Sequence, residues 1–115
     1  MSSRIFQNVI SQLRENIDRH VGVLDDRGYV IASSDLSLIG TRLEEFSELD
    51  FAEPGVLQAG DRCFRTLSAE GSRYDYVAYA DGTDEYSVMV CSLAAVAFKE
   101  SKQGYDEKHN KAAFI

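Results

Sequence analysis

"VGVLDDRGYVIASS", residues 21–34, decides the fold. Its two runs rich in β-branched and aliphatic residues, 21–24 and 29–32, flank the turn "DDRG", in which Gly28 supplies the positive φ that a hairpin needs. Strands joined by so short a turn are antiparallel neighbours. Three more runs read as strands: "DRCFRTLSA" (61–69), "RYDYVAYA" (73–80) and "EYSVMVCS" (85–92), linked by the turns "EGS" and "DGTD".

Around these strands the periodicity is helical. Over residues 2–18, Ile5, Phe6, Val9, Ile10, Leu13 and Ile17 recur at helix spacing, with Ser2 or Ser3 as cap. Residues 36–51 mix three- and four-residue spacings, which predicts short helices or turns laid over a sheet face until Pro54 and Gly55. From Leu93 the chain turns helical again, with Gly104 weakening the middle. The order predicts an α+β domain: a five-stranded antiparallel sheet with an N-terminal helix, short crossover helices and a C-terminal helix.

A chain of 115 residues, 44% of them hydrophobic, suits one core. Its formal charge of −7 repels phosphate backbones, so no direct nucleic-acid contact is expected. The longest apolar stretch, "SVMVCSLAAVAF", is too short and too polar to span a bilayer, and "MSSRIFQNVISQLREN" lacks a signal-peptide core. A cytoplasmic protein without membrane contact follows as the expectation. Cys63 and Cys91 lie in apolar runs without a CxxC and read as buried structural thiols. His20 and His109 stand alone, which argues against a metal site.

The polar residues that could carry function begin where the hairpin ends. Ser33, Ser34 and Asp35 have no positioned base nearby in sequence, so nucleophilic chemistry is not expected. Two roles stay open for them: capping the following turn, or lining the mouth of a pocket between sheet and crossover. Strand alternation sets Arg62 and Arg65 on opposite faces, so one of them points to the helical layer, where a guanidinium can grip a carboxylate. Tyr74 and Tyr76 share a face, as a ligand pocket or a partner surface would use them. No glycine-rich phosphate loop, HExxH or paired acid and base is present in the sequence, and neither an enzyme nor a cofactor is expected.

The hairpin with its sequel "LSLIGT" (36–41) resembles the N-terminal sensory domain of sugar-diacid and purine-catabolism transcription regulators, and "YDEKHNKAAFI" (105–115) is similar to the start of their connecting helix. The resemblance implies a PAS-like or Cache-like sensor over 1–104, with 105–115 beginning a connector toward an output domain. It implies a non-catalytic, small-molecule-sensing regulatory domain, working in transcription regulation and signal transduction. A ligand-free dimerisation or scaffolding domain of the same architecture is the alternative. The resemblance implies a small-molecule ligand, a carboxylate by the family's name, and carries over the loop Ser33, Ser34, Asp35 and the turn Ile39, Gly40, Thr41; Arg62 or Arg65 and the Tyr74–Tyr76 row join them as ligand-binding candidates from the strand faces alone. A homodimer is expected from the apolar surplus of the first helix and of Val96, Phe98 and Phe114. The apolar ending Ala112, Ala113, Phe114, Ile115 reads as a chain cut within a helix, with Gly104 as hinge.

Overall fold

The computed structural model describes residues 2–50, 55–67 and 76–113, without the side chains of residue 2 and of 103–113. The predicted hairpin forms as β1 (Val21–Leu24) and β2 (Val30–Ser33), paired antiparallel. Its turn is built by Asp25, whose carboxylate accepts the amides of Arg27 (2.9 Å) and Tyr29 (3.0 Å), and by Gly28 at φ 91°. A side chain at Gly28 would run into Phe46, so the turn also needs the bare backbone.

Three further strands, β3 (Leu57–Ala59), β4 (Arg62–Thr66) and β5 (Val77–Asp81), complete an antiparallel sheet in the order β2-β1-β5-β4-β3. The helix α1 (Ser2–Arg14) precedes β1, and α2 (Glu85–Ala113) follows β5. Both helices pack on one face. There Phe6 and Ile10 of α1 and Val90, Cys91, Ala94, Ala95 and Phe98 of α2 bury against Val21, Val23, Cys63, Ala78 and Ala80 of the strands. The opposite face is covered by the crossover, with 3-10 turns at Leu36–Leu38 and Glu44–Glu48, whose Leu38, Leu43 and Phe46 pack on Leu24, Phe64, Val77 and Tyr79. The α+β class and the five-stranded antiparallel sheet are as predicted.

One of the five strands is a different segment from the one predicted. Residues 85–92 are not a strand: they are the first two turns of α2. Their burial runs Ser87, Val90, Cys91, Ala94, Ala95, Phe98, which is helical spacing, and Asp84 caps the start by accepting the Ser87 amide at 3.1 Å. The fifth strand is β3, which the sequence pattern does not predict. It forms because Gly60 and Asp61 make a two-residue turn that pairs Ala59 with Arg62.

Of the strands predicted at 61–69 and 73–80, the described residues form β4 and β5, the latter running on to Asp81, and 68–75 lie outside the described residues. The first helix ends at Arg14 instead of residue 18. There the Arg14 guanidinium donates to the carbonyls of Ile17 (3.5 Å) and Arg19 (3.3 Å), a cation closing a helix C-terminus. Backbone helix runs through Gly104 without interruption, and Phe114 lies outside the described residues. Cys63 and Cys91 are free, buried thiols, as expected.

Candidate functional site

The polar run after β2 is organised by bonds to distant parts of the chain. The Gln7 side chain from α1 accepts the Ser33 amide (3.1 Å) and donates to the Ser33 carbonyl (2.9 Å), so it satisfies the outer edge of β2 as a strand neighbour would. Ser33, fully buried, has its hydroxyl 2.5 Å from the Tyr79 phenol oxygen and accepts the Asp35 amide at 3.0 Å. Ser34 turns the other way. Its hydroxyl accepts the Val21 amide (3.0 Å) and lies 2.9 Å from His20 Nδ1, locking the start of β1 to the end of β2.

Asp35 caps the first crossover turn, accepting from the Ser37 amide (3.1 Å) and hydroxyl (2.6 Å). The Ser37 hydrogen bonds hold its carboxyl below the usual carboxylate range. Gly40 and Thr41 return the crossover to β2: the Gly40 amide donates to the Val30 carbonyl (2.8 Å), and the Val30 amide donates to the Thr41 carbonyl (2.8 Å). The Thr41 hydroxyl donates to Leu38 O at 2.6 Å.

Arg62 and Arg65 do lie on opposite faces, and Arg65 is the one on the helical side, where it donates to the Ser92 hydroxyl at 3.3 Å. Arg62 sits in the crossover layer. It donates to Glu45 (2.5 Å) and Asp81 (3.1 Å), and its guanidinium carbon lies 5.8 Å from the centre of the Tyr79 ring. Burial works to lower the Arg62 pKa, but the two carboxylates more than offset it and the group stands above its ordinary value. Tyr76 is half-buried in the helix-side core, edge-on to Phe6 at 5.1 Å, and Tyr74 lies outside the described residues.

The structure thus brings Ser33 and Arg62 to two sides of Tyr79, places Ser34, Asp35, Gly40 and Thr41 along the loop beside them, and separates Arg65 and Tyr76 onto the other face of the sheet. Tyr79, central to the cluster, is not among the residues that the sequence singles out. Its position directly across β4 and β1 from Phe64 and Gly22 is what gives it that place. Among the described residues no buried side-chain nitrogen or oxygen lacks a hydrogen-bond partner, and no group of three or more His, Cys, Asp or Glu is arranged to hold a metal. No described helix is long and apolar enough to cross a membrane.

An open cleft of about 700 Å³ lies elsewhere, at the end of α1, formed by residues 14–19 and Tyr86. Two arginines face it, and both are engaged: Arg14 with the backbone carbonyls named above, Arg19 with Asp84 (3.3 Å) and the Tyr86 ring (5.2 Å).

Burial pushes the Tyr79 phenol from 10.0 up to about 12 and the Cys91 thiol from 9.0 up to about 12. In the unfolded chain both groups release their protons at ordinary values, while the folded chain still holds them. Their contribution to stability is therefore complete below about pH 9 and is lost as pH rises toward about 12. Thermal melts across this window should show a falling midpoint, with a shallower fall in Tyr79→Phe. A midpoint unchanged up to the top of the window would contradict the burial of both groups.

Comparisons of the chain with protein-family models, with curated proteins and with solved structures find no significant match, so the site is read from its own geometry.

Proposed function

We propose that this domain is a non-catalytic interaction module, a dimerisation or scaffolding domain, whose sheet and crossover form a filled interior. The observation that carries this reading is how the candidate ligand groups are spent. The hydroxyls of Ser33, Ser34 and Thr41, the Asp35 carboxylate and the Arg62 guanidinium each have partners within the chain. A ligand would have to break these bonds before making its own, and a binding site is favoured when its polar groups are already aimed at an empty space. Meanwhile α2 leaves large apolar side chains uncovered, as a surface for another protein does.

Small-molecule sensing is the second reading, favoured by one observation, the cleft at residues 14–19 with its two guanidinium groups. A small carboxylate is the ligand that chemistry would take. Attachment to the output domain of a transcription regulator is the setting that the resemblance implies for either reading. Two free buried thiols suit a reducing, cytoplasmic compartment.

Native mass spectrometry of gently purified protein tests the choice. The expected spectrum contains the bare chain and its multiples. A stoichiometric small molecule retained on the chain would overturn the scaffold reading and identify the ligand class.

A further inference from the structure

The first half of α2 is apolar on two sides. One side carries Ser87, Val90, Cys91, Ala94, Ala95 and Phe98 and is buried against the sheet and α1. The other carries Tyr86, Met89, Leu93 and Val96, which are 36%, 52%, 57% and 56% exposed. A helix with apolar residues all round belongs in an interior, yet half of this one faces solvent.

The spacing of the exposed four is three, four, three, the rhythm of a helix-pairing seam. The next two positions in the rhythm, Glu100 and Gln103, are polar, so the apolar stretch ends at Val96. The stripe is symmetric about its middle: reversed end to end, it sets Tyr86 against Val96 and Met89 against Leu93.

The flanking residues choose the direction. Along one edge of the stripe, at seven-residue intervals, stand Glu85, Ser92 and Lys99, with Glu85 and Lys99 exposed. In an antiparallel pair of helices this edge meets its own copy, which sets Glu85 opposite Lys99 and Ser92 opposite Ser92. In a parallel pair it would meet the other edge, where Val90 is already buried and Ala97 is uncharged. Only the antiparallel arrangement is complementary in charge as well as in shape.

We propose that this face of α2 docks on the same face of a second copy of the chain, antiparallel, with the Met89–Leu93 layers at the centre and Glu85 of each chain paired with the partner's Lys99. The proposal rests on the reading of the domain as an interaction module and names its partner. A two-fold axis through the stripe makes the contact closed and isologous, so it yields dimers and not filaments. The contact is roughly 15–20 Å long by helix rise, shorter than a standard interface, so a dissociation constant in the micromolar range is expected.

Sedimentation velocity from about 1 µM to about 500 µM should therefore show a reversible monomer–dimer equilibrium. Leu93→Glu, at an exposed position, should keep the circular dichroism of the native fold and weaken association at least about tenfold. Glu85→Lys and Lys99→Glu should each weaken it, and the two together should restore it. A dimer indifferent to Leu93→Glu would overturn this docking face while leaving the interaction-module reading intact. Failure of the double exchange to restore association would overturn the antiparallel pairing. A wild-type chain that stays monomeric throughout would overturn self-docking altogether. The module reading itself fails on a different observation, a small molecule retained in the native mass spectrum.

Discussion

Truncation of Phe98 to alanine is expected to lower the unfolding free energy by about 3–5 kcal/mol. Phe98 is fully buried, and its ring meets Phe6 edge-on, with centroids 5.6 Å apart. Phe6 in turn meets Tyr76 edge-on at 5.1 Å, so the three rings tie α1, α2 and the approach to β5 into one cluster. Removing one of the three rings costs its transfer energy and leaves a void that two helices and a sheet cannot close without moving. A domain of this size holds roughly 5–15 kcal/mol, so the variant should be close to unfolding at body temperature. Urea titration gives the measurement. A loss below about 1 kcal/mol would mean that the helical layer does not pack on the sheet as described.

The second large effect is expected at Gly22→Ala, with a loss of about 3 kcal/mol, the upper end of the overpacking range. Gly22 lies on the crossover face of β1, and a Cβ there would collide with the Tyr79 ring and sit 2.6 Å from the Ala32 carbonyl oxygen. The first clash is with a buried ring held by Ser33, and the second is with backbone inside a paired strand. Shrinking the ring in a Gly22→Ala, Tyr79→Leu double variant should recover only part of the loss, because the carbonyl stays where it is. Full recovery would mean that the strand backbone yields. A harmless single variant would mean that Tyr79 does not lie across Gly22.

How far the chain could be read in advance depended on how local each cause is. The 21–34 hairpin was legible because its turn chemistry and both strands lie within a few residues of one another. So was the division of Arg62 from Arg65, which follows from strand alternation alone. Residues 85–92 were not, because "EYSVMVCS" fits two periods at once. Tyr86, Val88 and Val90 alternate as in a strand, while Ser87, Val90, Cys91 and Ala94 repeat as in a helix. The deciding signals lay on either side: Asp84 as cap before the run, Ala94 and Ala95 continuing the period after it. β3 was missed for the opposite reason. Its three residues are too few to show alternation, and only the Gly60–Asp61 turn announces it.

The candidate site was legible as a place and not as a role. Ser33 takes its backbone partner from Gln7, 26 residues away, and its side-chain partner from Tyr79, 46 residues away. Nothing local in "ASSD" distinguishes a hydroxyl waiting for a ligand from one already bonded across the fold. The homodimer expectation rested on apolar surplus in the wrong part of the helical layer. Phe6, Ile10 and Phe98 are buried at home, Val96 is exposed, and Phe114 lies outside the described residues. The uncovered surface is carried instead by Tyr86, Met89 and Leu93 beside it, which became visible only once 85–92 was seen to be helix.

On the proposed reading, the polar groups between sheet and crossover hold the fold together and do not hold a ligand. The most direct measurement is a titration of isotope-labelled protein with small mono- and dicarboxylates, followed by amide and arginine side-chain NMR signals. No saturable shift is expected in the signals of Ser33, Ser34, Asp35, Gly40, Thr41 or Arg62, while Ser33→Ala lowers the melting temperature of the free protein. Saturable shifts gathered on those residues, with Arg62→Ala abolishing them, would contradict it.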